Sequence, residues 1–296
     1  MRYVAAKSAE EASNFLLQET GVSRVLAGGT DVLVQMKSGM IEPDLIVDIK
    51  KIPGIRNITE LDGFFRIGAA VSGSEVKDHE NINKMLPGVV EALDLIGSTQ
   101  IQGRCTMVGN LCNASPAADS VPALVAVNAK VNIIGPQGER SCNVEEIPIA
   151  PGKTSLKKGE FIVSVDIPYR PEFSSDAYLR FTPRTEMDIA VVSASVAIEM
   201  SKEGICENAK VVLGAVAPTV IIVGDASNVI VGTKLDESSL KKMSLKCVEI
   251  CEPISDKRGT VEFRTEVAGV LASRAAKIAY KSCLLYTSDA ADEQWS

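Results

Sequence analysis

Two stretches of small and short polar residues carry most of the chemistry this chain offers. The first, residues 106–120, reads TMVGNLCNASPAADS. Gly109 and Asn110 lead into Asn113, Ala114, Ser115 and Pro116, and then Asp119. Small side chains let a ligand approach the backbone, and Asn, Ser and Thr add short donors that reach it. Pro116 and Asp119 look like the start of a helix, SPAADSVPALVAV, whose first N–H groups lack intrahelical partners and favour negative charge. The same residues also suit a tight helix-capping loop inside a core, and this stretch alone does not separate the two. The second stretch, VLAGGTD at 25–31, sets Gly28, Gly29 and Thr30 in a backbone nest suited to a phosphate. It is neither GxGxxG nor GxxxxGK[ST], and a lone Gly-Gly pair is most often a turn.

Other reactive groups are sparse. His79, the sole histidine, lies in the polar run EVKDHENINK and reads as a surface residue. No Ser-His-Asp or Cys-His set is built from it. Glu10/Glu11 and Glu145/Glu146 read as helix starts or solvated faces rather than a glycosidase pair. Cys105 and Cys112 flank the first stretch and read as small packing residues rather than reactive thiols. The seven cysteines form no CxxC pair, and their odd number argues against a disulfide framework, so reduced thiols in a cytoplasm are expected. Cys247 and Cys251 have no second pair to complete a zinc site. Iron–sulfur ligands occur in tight local groups of cysteine, and none is present, so any cluster must come from a partner.

The elements that position the two stretches follow from patterning. Over residues 1–57, RYVAA reads as a strand and Ser8 caps a helix with Glu10 and Glu11 in its first turn. Gly21 ends that helix. SRVLA is a second strand, AGGTD a loop, VLVQMK a short helix and DLIVDI a third strand after Pro43. This is a small α/β unit with a mainly parallel sheet, and AGGTD lies beyond a strand's carboxyl end, where open α/β sheets place ligands. Over 58–175, FFRIGAAVS reads as a strand, SGSEVKDH and NKMLPGVVEALDLIGS as helices, AKVNIIGPQGERSCNV as a hairpin and EFIVSVDIP as a strand, on a mostly antiparallel sheet. Over 176–282, AYLRFTPR, IAVVSASVAIEM and AKVVLGAVAPTVIIVG read as strands of one antiparallel sheet with two helices packed on it. The fold class is α+β.

Composition sets the outer limits. The 296 residues suffice for about two domains with sizeable cores. A net charge of −7 argues against nucleic acid and anionic membranes as partners. No uncharged apolar run reaches membrane-spanning length, and the N-terminus has no secretory h-region.

Taken together, AGGTD at 27–31, TMVGNLCNASPAAD at 106–119, MDIAVVSASVAIEM, KVVLGAVAPT and PISDKRGTVEFR resemble the FAD-binding subunit of the molybdenum hydroxylases. That family includes the medium subunit of carbon monoxide dehydrogenase and the flavin part of xanthine dehydrogenase. The resemblance covers residue 1 to about 282. It implies an FAD-binding fold of two α/β subdomains, 1–57 and 58–175, followed by a C-terminal antiparallel sheet with packed helices, 176–282. Val25, Leu26, Ala27, Gly28, Gly29, Thr30, Asp31 and Val32 would then wrap the pyrophosphate. Thr106, Gly109 and Asn110 would line a second wall, with Ser115 counted among them. Asp119, Ile162 and Arg180 would also touch the cofactor, although Arg180 equally fits a surface arginine on a strand. Val108 departs from the family pattern, which has glycine there. The resemblance further implies a cytoplasmic heterotrimer with an iron–sulfur subunit and a molybdopterin subunit, passing electrons through FAD to NAD+ or another acceptor. A stand-alone FAD-dependent oxidoreductase of the same fold is the alternative, and a scaffold that has lost its cofactor a third. CLLYTSDAADE, within 283–296, resembles a translated sequencing adapter and is expected to be a non-native tail.

Overall fold

The computed structural model describes residues 1–184 and 187–292. The residues expected to be a non-native tail lie outside the described part from 293 onwards, Trp295 included. In the first unit β1 (Arg2–Ala5), β2 (Ser23–Leu26) and β3 (Leu45–Asp48) form a parallel sheet in the order β1-β3-β2. Helix α1 (Ala9–Gln18) joins β1 to β2 and α2 (Val32–Lys37) joins β2 to β3. Ser8 caps α1 by accepting from the Glu11 N–H at 3.1 Å, while Glu11 Oε2 accepts from the Lys7 N–H at 2.6 Å. Two crossovers of this kind put both loops that follow β1 and β2 at the same sheet edge, as parallel pairing requires.

The second unit has a five-stranded antiparallel sheet. It contains β4 (Ile58–Leu61), β5 (Phe64–Gly68), β6 (Lys130–Gly135), β7 (Gly138–Asn143) and β10 (Phe161–Pro168), in the order β4-β5-β10-β6-β7. A short hairpin, β8 (Pro148–Ala150) with β9 (Lys153–Thr154), stands beside it. Between β5 and β6 the chain forms α3 (Gly73–Lys77), α4 (Glu80–Met85), α5 (Pro87–Asp94), α6 (Thr99–Gln102), α7 (Met107–Cys112) and α8 (Ser120–Ala126).

The third unit pairs β11 (Ser174–Phe181), β12 (Val192–Met200), β13 (Cys206–Gly214) and β14 (Ile221–Ile222) in sequential order. Helices α9 (Gly224–Ile230), α10 (Glu237–Glu249) and α11 (Val261–Asp292) follow.

Three local readings need correction. The helix expected over NKMLPGVVEALDLIGS is two helices. Leu86 leaves helical geometry at φ −132°, ψ 54°, because Pro87 has no N–H to continue the ladder and instead starts α5. The loop expected over 106–119 holds α7, and α8 begins only at Ser120. Between them Ala114 takes φ 49°, which ends α7 in a left-handed turn. The strand expected over AKVVLGAVAPTVIIVG stops at Gly214, where Ala215 turns to φ 63°.

Two cores share the third sheet. One gathers around the second unit, with Phe65, Ile67, Leu124 and Val165, and the other under α10 and α11, with Val196, Met243 and Ala272. Tyr178 points into the first and its neighbour Ala177 into the second, as the alternation of a strand demands. Each buried large side chain of this kind contributes roughly 1.5–3 kcal/mol relative to exposure.

A cavity between the first two units

AGGTD follows β2 and reaches the second unit's helices. Gly28 packs so closely on the Arg104 carbonyl that a Cβ there would overlap its oxygen, and Gly29 takes φ +82°. Both positions therefore need glycine, one for approach and one for conformation. The N–H groups of Gly28, Gly29, Thr30 and Asp31 donate to no partner among the described residues. Such a row of unpaired donors is costly unless an acceptor joins it. The opposing wall starts at Thr106, which caps α7 by accepting from the Gly109 N–H at 2.9 Å. Asn110 Oδ1 accepts from the Ser120 N–H at 3.1 Å and from Ser120 Oγ at 2.7 Å, tying α7 to α8. Gln35 donates to Asn113 Oδ1 at 2.9 Å and links α2 to the same wall.

Between them lies a cavity of about 720 Å³. Its wall brings together Val25, Ala27, Gly28, Gly29, Thr30, Asp31, Val32, Thr106, Gly109, Asn110 and Ile162. Val108 lines it as well, as the second residue of α7, where a right-handed helical backbone accepts any L-residue. Burial raises the Asp31 carboxyl above the ordinary carboxylate range. Burial also pushes the Cys105 and Cys112 thiols up to about 11 and about 12, so both are uncharged packing groups of the wall at neutral pH.

Leu26, Ser115, Asp119 and Arg180 stand outside this wall. Leu26 closes β2, and Ser115 Oγ accepts from the Ala117 N–H at 3.2 Å within the turn before α8. Asp119 and Arg180 meet each other instead, at 2.8 Å, and Tyr178 Oη donates to the second Asp119 oxygen at 2.7 Å. Arg180 is thus a buried ion-pair residue, its side chain 6% exposed, and not a surface arginine. Burial pushes the Asp119 carboxyl up to about 6 against the pull of Arg180 and Tyr178. His79 is half-buried rather than on the open surface. It caps α4 by accepting from the Ile82 N–H at 3.4 Å and stands edge-on to Phe65. Pattern reading missed the turn before β10, which supplies Lys157, Lys158 and Gly159 to the cavity. Its one signal is LKKGE, a turn whose Gly159 takes φ +85°.

A cavity with a row of backbone donors on one side and small polar groups on the other is the class of site that suits a phosphate-bearing cofactor. Comparison with known proteins narrows the class. Residues 1–170 match the FAD binding domain in molybdopterin dehydrogenase, and residues 177–279 match the CO dehydrogenase flavoprotein C-terminal domain. The chain belongs to this family of FAD-binding subunits of the molybdenum hydroxylases. It is 28% identical over 282 residues to the carbon monoxide dehydrogenase medium chain of Hydrogenophaga pseudoflava, covering 95% of this chain and 97% of that one. It is 30% identical over 264 residues to the xanthine dehydrogenase FAD-binding subunit of Escherichia coli O157:H7, covering 88% and 90%. Among solved structures, the carbon monoxide dehydrogenase of Hydrogenophaga pseudoflava superposes with a TM-score of 0.91 at 28% identity, covering 96% of this chain and 98% of that one.

Proposed function

We propose that this chain is the FAD-binding electron-transfer subunit of a cytoplasmic molybdenum hydroxylase complex, relaying electrons from a partner's iron–sulfur clusters to NAD+ or another acceptor. The observation that carries this reading is the row of unpaired N–H groups from Gly28 to Asp31 on the wall of the cavity. These donors fit the two phosphates of a dinucleotide, which bring charge and acceptors together. The raised Asp31 carboxyl suits a hydroxyl of the cofactor better than a phosphate, since two like charges would repel. Asn110 and Thr106 hold the opposite wall, and Ile162 offers an apolar surface for a ring. Asp119 and Arg180 brace the contact between the second and third units. When bound, FAD supplies the redox chemistry, and the chain supplies binding, orientation and exclusion of water.

The molybdopterin and iron–sulfur centres belong, in this reading, to two partner subunits of a heterotrimer. Among the described residues no group of three or more His, Cys, Asp or Glu converges to hold a metal, and no helix is long and apolar enough to cross a membrane. The proposed division into two FAD-binding subdomains, 1–57 and 58–175, and a C-terminal domain, 176–282, is supported by the three larger sheets, with its second boundary inside β11 (Ser174–Phe181). An absorbance spectrum of the purified chain, with the released cofactor identified by mass, tests the assignment. About one FAD per chain is expected, and bleaching on anaerobic addition of NADH would place the acceptor site here. A protein that stays colourless in excess FAD would sink the assignment.

A further inference from the structure

We infer that Lys50 is the positioning residue that aims the first peptide of the 27–31 loop into the cavity; this rests on the reading that the cavity holds FAD. Lys50 lies two residues beyond β3, which ends at Asp48, and is not part of the cavity wall. Its Nζ donates to Asp48 Oδ2 at 2.8 Å and to the Ala27 carbonyl at 3.1 Å. Its own N–H donates to Asp48 Oδ1 at 2.9 Å, and Tyr3 Oη donates to Oδ2 at 2.6 Å. Asp48 is only 6% exposed, so the ammonium sits against a nearly buried counter-ion that is itself held from three directions.

The consequence lies in peptide geometry. The Ala27 carbonyl and the Gly28 N–H belong to one planar trans peptide and point in opposite directions. Holding the carbonyl toward Lys50 therefore turns the Gly28 N–H away from Lys50, toward the cavity that Ala27 and Gly28 line. The same device continues along the loop. Arg104 Nη2 donates to the Gly28 carbonyl at 3.4 Å, and the Leu33 N–H donates to the Gly29 carbonyl at 3.1 Å. Those two bonds set the Gly29 and Thr30 N–H groups. Arg104 is exposed and its bond is long, whereas Lys50 is anchored by an acid. Without the Lys50 donor the Ala27 peptide has no side chain holding it, and an unheld peptide beside a glycine pair turns freely.

The test uses the flavin-free chain and the variant Lys50→Met, which keeps the stem and removes the donor. Flavin fluorescence gives the FAD affinity, and amide exchange of Gly28 gives the direction of the peptide. The variant is expected to bind FAD about tenfold or more weakly, the scale of one charge-assisted bond. FAD is expected to protect the Gly28 amide in the unaltered chain and to leave it unprotected in the variant, while Asn110 is protected in both. A variant with unaltered affinity, or with weakened affinity and a protected Gly28, would overturn the inference and leave the FAD reading standing. An unaltered chain that fails to bind FAD would overturn both. If the Met variant does not fold, Tyr3→Phe loosens the same anchor from an exposed position. A two- to fivefold loss, roughly, is then expected, and an unchanged affinity overturns the inference.

Discussion

Glycine and short polar residues carry the site because each is needed for a different reason. Gly28 is required by contact, since any Cβ would overlap the Arg104 carbonyl, and backbone cannot yield as a flexible side chain can. We expect Gly28→Ala to weaken FAD by about a hundredfold or more, with a loss of roughly 1–3 kcal/mol in urea unfolding of the flavin-free chain. Gly103 is the control, because a Cβ there meets nothing within 4 Å. Gly103→Ala is expected to stay within about 0.5 kcal/mol of the unaltered chain. Equal losses in both variants would refute the contact explanation. Thr106 and Asn110 are legible in sequence as short donors, yet each also has a structural bond that fixes α7. Asp119 shows the limit of reading by type. Its carboxylate faces Arg180 and Tyr178 across 61 and 59 positions of sequence, a partnership no local pattern encodes.

At the scale of elements, β11 is the piece that joins the halves. Its buried Asp176 accepts from the Val89 N–H at 3.0 Å and so caps α5, whose own first turn offers no side-chain cap. Burial pushes this carboxyl up to about 6, from an ordinary 3.8, against the pull of Arg170 and the α5 amides. A raised carboxyl favours folding most when protonated. Its contribution is complete below about pH 4 and is lost as pH rises through about 6, by up to about 3 kcal/mol. Asp176→Asn keeps an acceptor for α5 and cannot ionise. The unaltered chain should therefore lose stability relative to this variant between pH 4 and 6.5, measured by urea midpoints at each pH. Parallel pH profiles for the two proteins would show that Asp176 does not titrate in this window. Most elements were legible, because Ser8, Pro43 and the alternation of EFIVSVDIP act locally, but α1 ends at Gln18 with Glu19 as its cap and not at Gly21 as expected. The α4–α5 break was missed even though Pro87 marks it, since the apolar run around it reads as one helix.

For the whole molecule the two cores meet along a single sheet, with Tyr178 in one and Ala177 in the other. Cores that share strands cannot lose one half without exposing the other. We expect calorimetry and far-ultraviolet circular dichroism to give one coincident transition for the flavin-free chain. Two resolved transitions would show that the halves fold independently. Tyr178→Phe removes a donor from the buried Asp119 and should lower stability by about 1–3 kcal/mol without splitting the transition.

The amino-acid order was enough to reveal the α+β class, the two loops and the family to which they point. Those properties rest on local chemistry: turn residues, caps and the period of apolar positions. Why glycine is needed at 28 and 29 was not legible there, because the Arg104 carbonyl that meets Gly28 lies far along the chain and the φ of Gly29 is set by the fold. Folding alone assigned the rest. It brought residues 25–32 opposite 106–110 across one cleft and drew Asp119 and Arg180 out of that wall into an ion pair. It also set Lys50 behind Ala27. Which residues face a cavity, and which face each other, depends on how sheets and helices from distant parts of the chain stack. That is decided by burial of area and satisfaction of buried polar groups over the whole molecule.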